Sequence, residues 1–221
     1  PSPAFPGRSL LAVCLVFFLF PAAKSAHAQS DQTWLNGSGI WDLTSPHWNG
    51  GLPWTNGNNA IFGGAGETVT VAEDVSVNHL TFNASGFTLT GSGLLGLSVG
   101  SIVDIANATH LATIDAVIQS GGITKNGSGT LVLSRANTFA GAVVVNAGAL
   151  RLTHGGSLGT TAGATTVANG ARIELSGGIT ISGESLTING TGGNNFGALQ
   201  SISGANTWNG NVILGSSGAR I

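Results

Sequence analysis

The 221-residue chain has one cysteine, no methionine, no tyrosine and six prolines, and charged residues make up only 7% of it. Lys and Arg number 7 against 9 acids, a formal charge of −2. No basic patch can therefore neutralise a phosphate backbone, which excludes nucleic acid as a partner. The outer faces of soluble helices need Lys and Glu, and here both are too scarce for a helical protein. A hydrophobic fraction of 42% with so little charge is also the wrong composition for disorder. Glycine is abundant, 36 residues, yet without the period of three that collagen requires.

Residues 1–28 read as an address. Arg8 precedes the apolar run Leu10 to Phe20, then Pro21, then small residues ending Ala26-His27-Ala28. A basic segment, a short apolar core and an A-x-A site form a secretory signal peptide. The run is too short for a membrane anchor, which needs about 20 apolar residues. Cys14 sits inside it behind a bulky Val13, which argues against a lipid-attachment site. Cleavage before Gln29 would remove this cysteine, so the exported chain has no disulfide and relies on packing and backbone pairing. A start at Pro1 rather than Met reads as missing upstream sequence.

Beyond residue 30, short alternating segments bounded by Gly, Asn or Ser predict strands with one face inward. They are Thr68–Val71, Leu80–Phe82, Phe87–Thr90, Ile102–Ile105, Leu131–Leu133, Val143–Val145, Leu150–Leu152, Ile173–Leu175, Ile179–Ile181, Leu186–Ile188 and Val212–Leu214. Two internal repeats organise them. Ser134 to Val143 (SRANTFAGAV) returns as Ser203 to Val212 (SGANTWNGNV). A Gly-Ala turn followed by a strand recurs at Gly148, Gly170 and Gly218. Recurrence at about 22 residues and its multiples predicts a solenoid whose coils stack strand on strand. A hairpin sandwich shares the short strands and Gly turns but does not explain turn units recurring at coil length.

Residues 29–66 differ from the rest. Four of the five tryptophans, Trp34, Trp41, Trp48 and Trp54, lie here among Gly and Asn. The segment reads as an N-terminal cap over the first coil, because an open solenoid end exposes pairing edges. The alternative is a Trp-lined glycan site. At the other end, Val212–Leu214 is followed by Gly218 to Ile221, the opening of another coil. That predicts an uncapped edge and end-to-end association of residues 29–221.

The segment Ile123-Thr124-Lys125-Asn126-Gly127-Ser128-Gly129-Thr130-Leu131-Val132-Leu133, then Asn137-Thr138-Phe139, Gly141, Gly148 and Leu150, resembles the autotransporter-associated β-strand repeat, also called the passenger-associated transport repeat. The resemblance covers about residues 121–152. A weaker partial copy starts at about 201 and lacks the K-x-G-x-G-T-L portion. Trp41-Asp42, Trp48, Gly57 to Phe62, Leu80 to Phe82 and Phe87 to Gly91 look like the start of such proteins. The resemblance implies an all-β chain: a right-handed parallel β-helix over residues 67–221, truncated at its C-terminus and displayed at a bacterial cell surface or secreted. It implies a repeat that assists export and folding, with outer-membrane export machinery or a C-terminal barrel outside this chain as partner. An extracellular glycan or a host or cell-surface ligand would suit the alternative, a glycan-binding adhesin module. A polysaccharide lyase or hydrolase is the third reading. Arg135 stands where the repeat has Gly.

No catalytic, cofactor-binding or metal residues emerge. Gly91 to Gly96 fits G-x-G-x-x-G but no helix follows. Gly155-Gly156-Ser157-Leu158-Gly159 fits a nucleophile elbow without its strand-to-helix setting, and His154 is merely adjacent, so the segment reads as a turn. Gly63 to Thr68 approximates a calcium nonapeptide but has Thr68 at the carboxylate position. His47, His79, His110 and His154 lack metal-ligand spacing. Glu73 and Asp74, read as neighbours on a strand, would face opposite ways, and Asp104, Asp115, Glu174 and Glu184 are scattered, so no pair of acids serves glycosidic cleavage. The chain is therefore expected to be neither an enzyme nor cofactor-dependent. Gly127 and Gly129 are both expected at positive φ, in the turn before Leu131.

Overall fold

The computed structural model describes residues 29–35, 37–193, 195–215 and 218–221. The expected signal peptide and Cys14 lie outside them. The described residues form 22 short strands and no helix. All strand pairs are parallel, and they assemble one nine-stranded and one eight-stranded sheet with two smaller ones of three and two strands. The chain passes from one large sheet to the other and back, about seven times, as a parallel β-solenoid. This bears out the all-β solenoid expected from the repeats.

Alternation in the strands becomes ladders in the stack. Down the nine-stranded sheet, Ala60, Leu80, Val103, Lys125, Val145, Val167 and Ile188 follow one another in register, every one fully buried. Across the core, the eight-stranded sheet contributes Val69, Leu89, Ile114, Leu133, Leu152 and Leu175. Each rung buries its apolar residues between the rungs above and below, so few charges are needed outside. In these ladders the rungs range from as short as Ile114 to Leu133 to as long as Leu89 to Ile114, close to the coil length expected from the Gly-Ala turns. The longer internal repeat spans three rungs, Val143 to Thr165 to Leu186 to Val212.

The strands missed from sequence include some that alternate well, such as Leu111–Ile114 and Thr165–Val167, and some with weak alternation. Val117–Ser120 and Leu94–Leu97 belong to the three-stranded sheet at one corner, where Gly96 and Ser120 break the pattern. Glu73 and Asp74 correct a placement: they lie in the turn between Thr68–Val71 and Val75–Val77, not on a strand. The Asp74 carboxylate accepts the Leu94 N–H there at 2.9 Å.

Segment 29–66 is built into both large sheets through Asp31–Thr33, Gly39–Trp41 and Asn59–Phe62. Its rung is the longest, with Gln32 paired to Ala60 and Ile40 to Thr70, because residues 42–58 intervene between Gly39–Trp41 and Asn59–Phe62. Trp34, Trp41, Trp48 and Trp54 are at most 3% exposed. Their rings meet at 4.6 to 5.0 Å, and those of Trp34, Trp41 and Trp48 pack on Phe62, which stacks on Phe82 at 4.9 Å. Such edge-to-face aromatic packing adds to the area each ring buries.

Candidate functional site

The transport-like segment 121–152 occupies the middle of the stack. Its strands Ile123–Asn126 and Thr130–Leu133 lie in one rung, and Val143–Val145 and Ala149–Leu152 in the next. The sequence motif is therefore longer than a coil: it spans the junction between two.

Lys125 is the first notable residue of this junction. Period-two alternation from Ile123 points its side chain inward, and it is fully buried between Val103 and Val145. The ammonium donates to three backbone carbonyls, Asn126 O at 2.6 Å, Gly127 O at 2.8 Å and Ala147 O at 3.3 Å. The first lies at the end of the lysine's own strand, the second in the adjoining turn, where Gly127 takes φ +74°, and the third in the next rung. Burial pushes this lysine down to about 8, with the carboxylate of Asp104 opposing the shift. Sequence reading placed Lys125 in the motif but not in the core; its position two places after Ile123 was the available signal.

Gly129 corrects an expectation. It is not among the glycines at positive φ, whereas Gly127 is. Gly129 is small for another reason: a Cβ would collide with the Ile105 side chain and the Asn107 and His110 carbonyls of the preceding rung. Steric approach between rungs, not handedness of the turn, demands this glycine.

The asparagine of the N-T-aromatic element has a bonding role that its sequence did not disclose. Asn137 Oδ1 accepts the Ile118 N–H at 2.9 Å, while the Thr138 N–H donates to the Ile118 carbonyl at 2.9 Å. Side chain and following amide together bracket one residue of the preceding rung, as a strand neighbour would. The Asn137 amide then donates to Ser157 O, in the following rung, at 2.7 Å. In the partial copy, Asn206 and Thr207 bracket Ile179 with the same two distances. The device recurs at Asn56-Gly57 on Ser76, at 2.7 and 2.9 Å, and at Asn58-Asn59 on Ser30, at 3.2 and 2.9 Å. Asparagine fits because its carbonyl mimics a backbone acceptor without a second strand. Gly141 and its counterpart Gly210 complete the element: a Cβ on either would strike a backbone carbonyl, of Gly121 and Glu184 respectively. Phe139 fills the core beside them, fully buried.

The other motifs are structural. Ser157 is fully buried and its hydroxyl donates to Leu133 O at 2.9 Å, while His154 Nδ1 accepts the Gly156 N–H at 3.0 Å. The pair holds a turn rather than presenting a nucleophile. Arg135 reaches back along the stack to the carbonyls of Gly91 and Asp115, at 2.9 and 3.1 Å. Glu174 is nine-tenths buried between Arg151 and Arg172, at 2.8 and 2.7 Å. Glu184 is buried against the Thr165 hydroxyl at 2.7 Å, and burial raises its carboxyl above the usual range. An open groove of about 570 Å³ over Gly121, Ile123, Thr138, Ala140 and Val144 has no ionisable side chain in its lining. Among the described residues, no three His, Cys, Asp or Glu gather as a metal site. No helix among them is long and apolar enough to cross a membrane. The tryptophans expected as sugar platforms in the glycan reading are buried against one another, and their faces are not offered to a ligand.

These features define a class: a parallel β-solenoid whose rungs are stapled by side chains that stand in for backbone. Residues 123–152 match the family described as passenger-associated-transport-repeat, bearing out the resemblance read from residues 121–152. The chain is also 34% identical over 152 residues to the adhesin BmaC autotransporter of Brucella suis biovar 1 (strain 1330), an alignment covering 60% of this chain and 4% of that protein. The chain thus spans a small fraction of that relative's length. No solved structure matches it.

Proposed function

We propose that this chain is a passenger-type structural solenoid of an autotransporter-like bacterial protein, exported and displayed at the cell surface, in which residues 121–152 assist export and folding. The observation that carries the reading is the junction itself. The family match at 123–152 coincides with the stretch where Lys125, Gly129, Asn137 and Gly148 tie one rung to its neighbours. A segment that helps successive coils stack as they emerge from a membrane needs such inter-rung ties and needs no catalytic group. On this reading the chain is not an enzyme, a leader at 1–28 directs export, the Trp-rich segment 29–66 serves as the N-terminal plug, and a translocator barrel outside this chain is the partner.

The test is deletion of residues 121–152 from the full-length gene, with surface display measured against total synthesis. Display should fall while synthesis holds; undiminished display would defeat the export role. The relative's name, an adhesin, favours adhesion by the displayed protein as a second reading. Its contact surface would then lie elsewhere than on the buried tryptophans, and binding by the chain on a glycan array would support it.

A further inference from the structure

An ammonium in the middle of an apolar ladder carries a steep desolvation cost unless its protons are all taken up. Every other member of that ladder from Ala60 to Ile188 is Ala, Leu, Val or Ile. Among the described residues no carboxylate pairs with Lys125; its partners are three carbonyl oxygens, and they are divided between two rungs. Positive φ at Gly127 brings the Asn126 and Gly127 carbonyls to the ammonium of their own rung. The third acceptor, Ala147 O, is delivered only when the next rung stacks, with Asn146 N–H donating to Lys125 O at 2.9 Å and Ala149 N–H to Gly129 O at 3.1 Å. Gly148 permits that approach: a Cβ there would collide with the carbonyls of Gly129 and Gly127.

We propose that Lys125 is the closing latch of the transport repeat, an ammonium that ties the corner of its own rung to the corner of the next, so that the two rungs form and open as one unit. The inference rests on reading the repeat as a folding element, and it gives that element its mechanism. Until the following rung arrives, the lysine faces water along the axis of the stack and its third acceptor is missing. Burial of the charge and arrival of Ala147 are one event. The latch also explains the extent of the repeat, which starts at the lysine's strand and ends on the next rung's Gly148 and Leu150.

Amide hydrogen exchange on the chain tests this. Amides of Ile123 to Asn126 and of Asn146 to Ala149 should share one opening rate. In Lys125→Met the Asn146 and Ala149 amides should exchange about tenfold faster, the cost of one net hydrogen bond, while Thr88, two rungs before Lys125, keeps its rate. Uniform acceleration in all rungs, or none at Asn146 and Ala149, would overturn the latch. If that variant does not fold, the native chain still decides. The Lys125 side-chain ammonium should give a slowly exchanging ¹⁵N resonance at neutral pH, and its exchange as fast as a solvated lysine would overturn the proposal. In Lys125→Ala, added n-propylammonium should restore protection at Asn146 and Ala149; a merely space-filling role would be restored equally by n-butane. Because these readouts use the purified chain, the latch and the export role can fail separately.

Discussion

Residues 134–143 and 203–212 share a sequence pattern and a local structure but not an environment. In both, an asparagine and the threonine after it bracket an isoleucine of the preceding rung, and a glycine lies against that rung's backbone. In the first copy a further rung lies on the far side. Asn137 spans to Ser157, and Phe139 is fully buried. In the second copy, Asn206 turns its amide back onto Ser203 O and Gly204 O of its own turn, at 2.8 and 3.3 Å, and onto Leu175 O at 3.1 Å. Trp208 is only partly buried, and Ile213 and Leu214 are 45% and 60% exposed. The pattern thus fixes how a rung grips the one before it, whereas stability comes from being gripped in turn by the one after.

Truncating the aromatic residue in each copy should break this comparison most visibly. Phe139→Ala opens a cavity that close packing on both sides cannot collapse, and should cost about 3–5 kcal/mol. Trp208→Ala removes a larger ring from a partly buried site and should cost less, about 1–2 kcal/mol, because part of the residue already meets water. Urea denaturation followed by circular dichroism measures both, and equal losses would remove the distinction between the copies.

The next largest effect has no counterpart at the second copy, because the lysine strand precedes only the first. Lys125 holds its proton less tightly in the fold, at about 8, than the 10.5 of a solvated lysine. Between those values the unfolded chain binds more protons, so raising pH favours the folded state. The penalty is fully present below pH 8 and is lifted as pH approaches 10.5, by up to about 3 kcal/mol. The unfolding midpoint of the chain should therefore climb over this window, and the climb should vanish in Lys125→Met whatever that variant's stability at neutral pH. Parallel pH profiles would show that the lysine does not titrate within the fold.

The smallest contrast is between the asparagines. Asn137→Ala strands the Ile118 N–H and the Ser157 carbonyl in buried surroundings and should cost about 2–3 kcal/mol. Asn206→Ala strands the Ile179 N–H, with its other partners nearer solvent, and should cost about 1 kcal/mol. Asn137→Asp sharpens the point: it keeps the acceptor for Ile118 and loses the donor to Ser157, so it should lose more in the same urea titration than Asn206→Asp.

Much of the architecture was legible because a solenoid writes its geometry along the chain. Alternation marked the strands with strong inward faces, such as Thr68–Val71 and Val143–Val145, and the return of the Asn-Thr element at Asn206 marked a distance of whole coils. Where alternation weakens, at Leu94–Leu97 or Val117–Ser120, the strand is held by its neighbours in the stack, which a local reading does not see. The tryptophans were visible as a cluster, but only packing distinguishes a platform facing solvent from rings buried against each other.

Sequence by itself determined the class: scarce charge, Gly-bounded strands and repeats of coil length leave an elongated parallel stack as the way to satisfy backbone and bury side chains. The K-x-G-x-G-T-L and N-T-F elements also named the residues of the junction. Tertiary structure alone decided what those residues do. It put Lys125 inside rather than outside, made Gly129 a matter of clearance rather than of φ, and turned Asn137 into a bridge between the rungs on either side of it. The reason is physical: each of these roles is set by an atom about twenty residues away in the chain and one rung away in space, at the spacing of roughly 4.8 Å at which strands stack.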